Sequence, residues 1–152
     1  TGADLAGAIH TAEPDLQVRL VIGPWGSQSI PDGVVGVQAP SSLSGEMAGA
    51  QIVVSAGGVA LLEACRLARA VVAVTMAENQ RTAVEYLHRV GAVLAVADDE
   101  VATAVSGLRR DAAARRALAR AAAEAIDGQG AARAAAQLVE QAADVRNPVR
   151  TF

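Results

Sequence analysis

The sequence predicts an α/β fold: a doubly wound parallel sheet followed by a helical carboxyl-terminal region. Three observations carry that expectation. Short β-branched runs alternate with Ala- and Leu-rich stretches. The runs are near-continuously apolar, as in strands covered on both faces. No hairpin turn joins consecutive runs, so each connection reads as a crossover, and right-handed crossovers build an open sheet.

Five strands are expected. Leu16–Gly23 runs into a Gly-Pro turn, and Val34–Ala39, Ile52–Ala56, Val71–Met76 and Ala92–Ala97 follow. Helices are expected between them. Asp4 would cap Asp4–Ala12, and Ser44–Gly49 would be short. Gly58–Ala68 carries Val59, Leu62 and Cys65 at helical spacing, and Asn79–Val90 carries Val84, Leu87 and Val90. After Asp98 and Asp99 the chain turns helical, through Glu100–Arg109, Asp111–Ile126 and Ala131–Ala143. The Arg- and Ala-rich second of these reads as a solvated surface helix. Arg146–Phe152 contains Pro148 and is expected to leave the domain as an extended tail.

A Rossmann-like half opens with a strand that feeds its first phosphate loop. Here the first segment, Thr1-Gly2-Ala3-Asp4, reads as that loop itself. The first strand, central in the common order, is therefore expected upstream of Thr1.

Composition excludes several functions. The length of 152 residues fits one domain, and 52% hydrophobic against 19% charged residues excludes a disordered chain. The net charge of −3 and 2% aromatic content argue against nucleic acid as a partner. No apolar run reaches the roughly 20 residues of a membrane span. The single cysteine, Cys65, leaves no internal disulfide and no zinc cluster, and a cytoplasmic location is expected. No metal or cofactor is expected, and the oligomeric state is left open.

The segment Ile52–Gln80 carries the chemistry. A buried strand ends at Ser55-Ala56-Gly57-Gly58 and turns into a helix. The amides of Gly58, Val59 and Ala60 would stand unpaired at the first turn, where the helix dipole favours an anion. Two glycines would let backbone approach a phosphate closely, or would simply make a tight turn. Glu63 lies one and a half turns further on, where a carboxylate could accept from ribose hydroxyls or stand exposed. Asn79 and Gln80 follow the next strand at the same sheet edge, where their amides suit sugar hydroxyls or helix capping. His10 and His88 lack metal-ligand spacing, and Trp25 could line a cleft. The absence of a G-x-G-x-x-G run after a strand counts against a dinucleotide.

These residues carry a resemblance. The succession strand, Ser55-Ala56-Gly57-Gly58, helix with Leu61-Leu62-Glu63, strand, Glu78-Asn79-Gln80 resembles the carboxyl-terminal half of GT-B-fold nucleotide-sugar enzymes. It is most similar to the UDP-sugar hydrolases of pseudaminic acid biosynthesis and the spore-coat polysaccharide biosynthesis proteins. The resemblance implies that residues 1–145 form a UDP-binding domain and that an amino-terminal domain completes the enzyme. It implies Glu63 on the ribose, Gly57, Gly58 and Val59 on the diphosphate, with Ser55 beside them, and Ala39 and Pro40 near uracil. It implies Gly2 and Asp4 on the diphosphate from the other side, Gln80 facing the sugar, and Asn79 near the reacting centre. Hydrolysis of a UDP-sugar is the implied reaction. Sugar transfer by a glycosyltransferase and a non-catalytic nucleotide-binding module are the alternatives. Neither His10 nor His88 occupies the position of the hydrolases' catalytic base.

Overall fold

A computed structural model describes residues 1–146 and the side-chain surroundings of residues 1–142. The order is α1 (Gly2–Ala12), β1 (Arg19–Ile22), β2 (Val35–Gln38), α2 (Leu43–Gly49), β3 (Ile52–Ala56), α3 (Val59–Arg66), β4 (Ala70–Val74), α4 (Arg81–Arg89), β5 (Leu94–Ala95), α5 (Val101–Arg110), α6 (Ala112–Ala125) and α7 (Gly130–Arg146). Short 3-10 turns at Glu78–Gln80 and Asp98–Glu100 precede α4 and α5. Of the expected tail, only Arg146 is described, as the last residue of α7; residues 147–152 lie outside the described part.

The fold is mixed α/β, but the strands form two parallel sheets instead of one. β1 pairs with β2, and β3, β4 and β5 form a second sheet in that order. No backbone ladder joins β1 to β3 among the described residues. The expectation of a single sheet is corrected to that extent. β1 bonds only to β2, and β3 only to β4, so each is an edge strand of its own sheet.

β4 is the centre. All five of its residues are buried, and successive side chains point to opposite faces. Val72 and Val74 face a cluster with Ala3, Ala6 and Ile9 of α1, Leu20 and Ile22 of β1, and Val101, Val105 and Leu108 of α5. Val71 and Ala73 face a second cluster with Leu61, Ala64 and Cys65 of α3, Val84 and Leu87 of α4, and Ala122 of α6. Each buried Val of β4 contributes about 1.5–3 kcal/mol by leaving water.

Several expected details shift. Thr1, not Asp4, caps α1: its hydroxyl accepts from the Asp4 amide at 3.3 Å, and the Asp4 side chain completes a capping box. The buried stripe of α3 is Leu61, Ala64 and Cys65, leaving Val59 and Leu62 exposed. One residue of phase separates the two stripes, and an eight-residue helix offers too few turns to fix it from sequence. In α4, Val84 and Leu87 are buried, but Val90 caps the helix and is exposed. The helix α6 is more than a solvated surface element. Its fully buried Ala122 packs in the second cluster, and Ala114 and Leu118 lie against the first. By contrast, residues 130–142 of α7 are exposed throughout.

Two devices fix α1 over the sheet. Gly33 has φ +76°, and His10 lies where its side chain would be, so that turn requires glycine. Glu13 at the end of α1 is the one charged residue buried among the described residues. Its carboxylate accepts from Arg109 and, at 3.0 Å, from Arg110. Ser106 and then Arg109 hold its pKa below the ordinary 4.5. A lowered carboxylate pKa stabilises the fold above the ordinary value, and that contribution is lost as pH falls through the folded value. The thermal midpoint should therefore fall on acidification below pH 4.5, and Glu13→Gln should lower the midpoint at neutral pH and flatten the acid decline. Melting curves across pH for both proteins check this.

The phase of α3 has its own test. Leu61→Ala should destabilise the protein by about 2–5 kcal/mol, as a fully buried leucine, whereas Leu62→Ala should cost less than about 1 kcal/mol. Denaturant titration of the two variants compares them directly.

Candidate functional site

β3 and β4 run parallel in the register Ile52↔Ala70 to Ala56↔Val74, so both chains leave the sheet at the same edge. The loops beyond Ala56 and Val74 are consequently neighbours, and ligands of open parallel sheets gather at such carboxyl ends. Gln80 ties the loops together. Its Oε1 accepts from the Met76 amide at 3.1 Å. A Cβ at Gly57 would stand 2.6 Å from Val84 Cγ2 and 2.7 Å from Gln80 Cβ.

That contact changes the role read for Gly57. The missing side chain makes room for Gln80 and Val84 of the same chain. Gly58 behaves differently: nothing lies within 4 Å of where its Cβ would be. It is the N-cap of α3, in extended backbone, with no side-chain cap. Its own amide is engaged, donating to Ala56 O at 2.8 Å, so it is not among the unpaired donors that the sequence led us to expect. The Val59 and Ala60 amides, at the first two positions of α3, find no acceptor among the described residues. Ser55 Oγ donates to Ala56 O at 3.1 Å and stays half-buried at the strand end.

Glu63 is exposed on α3 and makes no hydrogen bond or ion pair among the described residues. It borders a shallow apolar depression of about 370 Å³ with Ser44, Leu62, Arg66, Leu67 and Ile126. Asn79 is exposed in the 3-10 turn and caps nothing, and α4 starts at Arg81 instead of Asn79. Beside it Glu78 and Arg81 form a two-pronged ion pair at 2.9 and 2.8 Å, which lowers the Glu78 pKa.

The remaining predicted residues stand on the neighbouring strands and α1. Ala39 follows β2 with φ +42°, exposed, its amide donating to Ile22 O at 2.8 Å, and Pro40 is half-buried. Gly2 is the first residue of α1, and the Asp4 carboxylate accepts from the Thr1 hydroxyl at 2.7 Å. The structure thus brings together Gly57, Gly58, Val59 and Gln80. It leaves Glu63 on the flank of α3 and occupies Asp4 in the cap.

Three side chains at this end of the fold were not legible as exposed. Val59 is 72% exposed and Met76 53%, while Trp25 is 94% exposed. Each follows the carboxyl end of a strand, β3, β4 and β1 in turn. The turn carrying Trp25 is held by Gly26 N donating to Gly23 O at 3.0 Å and by Gln38 Nε2 donating to the same oxygen at 2.8 Å. Away from this edge, His88 Nδ1 accepts from the Ala95 amide at 3.2 Å, joining α4 to β5. Cys65 is fully buried, and burial pushes its thiol up to about 11. Arg69 was missed altogether. Its guanidinium donates to Leu67 O at 2.9 Å, Ala48 O at 3.2 Å and Ala50 O at 3.1 Å, clamping α2 and α3 beside β4. No periodicity marks such a residue, because its partners are carbonyls.

No family model matches the chain, and no curated protein matches it. The terms hydrolase, glycosyltransferase, UDP, GT-B fold and polysaccharide biosynthesis, which came from the resemblance, are therefore withdrawn as descriptions of this protein. No described helix is long and apolar enough to cross a membrane.

The two glycines predict opposite outcomes. Gly57→Ala should destabilise by about 1–3 kcal/mol through overpacking against Gln80 and Val84. Gly58→Ala should change stability by less than about 0.5 kcal/mol. Equilibrium unfolding of both variants reads the difference.

Proposed function

We propose that the carboxyl edge beside Gly58 binds the diphosphate of a nucleotide-linked sugar, and that this chain is the nucleotide-holding half of a two-domain enzyme. The observation that carries the reading is the uncapped start of α3. Val59 and Ala60 present free amides there, and the space over Gly58 is open. Free amides and the helix dipole together favour an anion, and each hydrogen bond to a charged group contributes about 1.5–3 kcal/mol.

Glu63 supports a nucleoside over a simple phosphate. It is a free carboxylate about one and a half helical turns beyond Gly58, able to accept from ribose hydroxyls. Asn79 stands exposed on the adjacent loop, where its amide could orient a sugar beyond the diphosphate. In this reading the chain holds the leaving diphosphate and stabilises its charge, while a second domain acts on the sugar. The cytoplasmic placement belongs to the same proposal, supported by the single buried thiol.

Val59→Pro is a clean test. Proline is tolerated at the first helical position, and the extended Gly58 suits a following proline, so the change removes one donor and keeps the helix. Calorimetry with ADP, GDP, UDP and pyrophosphate should show binding to the parent chain and a loss of about 1.5–3 kcal/mol in this variant for every bound ligand. Glu63→Ala should weaken the nucleoside diphosphates by about 1–3 kcal/mol and leave pyrophosphate unchanged. No binding to the parent, or equal binding by parent and Val59→Pro, contradicts the proposal.

A further inference from the structure

β1 and β3 each carry one bonded edge and one free edge. β1 pairs with β2 alone, and β3 pairs with β4 alone. The two sheets nevertheless share one apolar layer. Leu20 and Ile22 of β1 lie in the same cluster as Val72 and Val74, and Ile52 and Val54 of β3 pack against it. α1 and α5 cover that layer and touch each other. No residue of β2 belongs to the cluster, so β1 is the inner strand of its pair.

An ion pair ties β1 to the β3 side of the second sheet. Arg19, which opens β1, is ion-paired at 2.6 Å to Glu46 of α2, and α2 leads through Ala50 and Gln51 straight into β3. All five residues of β3 are half-exposed, although its bonded neighbour β4 is buried throughout. A strand flanked on both sides would be buried like β4.

Crossover handedness identifies what belongs between them. The connections β3–α3–β4 and β4–α4–β5 advance along the sheet away from β1, with α3 and α4 on the face of the second cluster. α1 lies on the opposite face. For the same right hand, a crossover on the opposite face advances in the opposite direction. A strand that leads into α1 and on to β1 therefore stands on the β3 side of β1.

We propose that one further strand, in polypeptide leading into Thr1, inserts between β1 and β3, parallel to both. It would join the two sheets into one, in the order β2, β1, inserted strand, β3, β4, β5. Its side chains are apolar on both faces, because the first cluster lies on one face and Val53 of β3 packs toward the second cluster on the other.

The test extends the 152-residue chain at its amino terminus. The extension is a Val/Ile strand of about five residues and a Gly-rich turn. A control extension carries Pro at two strand positions, which removes ladder donors. The Val/Ile extension should raise the thermal midpoint and slow hydrogen exchange at β1 and β3 amides together by about tenfold or more, and the Pro control should do neither. Unchanged exchange at β1 and β3 overturns the proposal. So does concentration-dependent protection of both strands in the unextended chain, which would mean that a second copy fills the gap.

Discussion

The burial of β4 constrains everything around it. A five-residue apolar strand with no exposed face has to be covered on both sides, and the two clusters that cover it recruit residues from α1 to α6 but none from α7 among the described residues. α1 and α5 close one face, and α3, α4 and α6 close the other. Because β3 and β5 both bond to β4, they take its direction, and the loops that follow β3 and β4 emerge together at one edge. The chemistry available to the protein at that edge follows from this packing.

The edge itself is organised by small contacts. Gly57 lacks a side chain so that Gln80 and Val84 can pack against its backbone, and the Gln80 amide oxygen holds the Met76 amide. With those loops fixed, α3 begins at an exposed, uncapped glycine, and Val59 is turned outward. A glycine N-cap supplies no side-chain acceptor, so the first amides of the helix are left to other partners. Here the next residues offer donors to solvent at the place where parallel sheets bind ligands.

Much of this was legible in the sequence. The β3 limits match residue for residue, and the order of strands and helices follows the expected alternation. Boundaries moved where two signals competed: Thr1 and Asp4 are both good caps, and the hydroxyl took the cap while the acid took the third position of the box. The phase of α3 was not legible because Val59, Leu61 and Leu62 are all apolar, so hydropathy cannot say which faces the core. The roles of Gly57 and Gly58 were not separable either. Two adjacent glycines look alike in sequence, yet one is pressed against Val84 and the other faces open space. The division into two sheets depends on long-range ladders, which leave no local trace.

The central claim is that the exposed start of α3 receives an anionic phosphate group. Backbone amide NMR during titration with pyrophosphate and then ADP measures it most directly. The account requires the largest shift changes at Val59 and Ala60 with both ligands, with Glu63 and its neighbours responding to ADP alone. Changes centred on the arginines of α6, or none at α3, would contradict it.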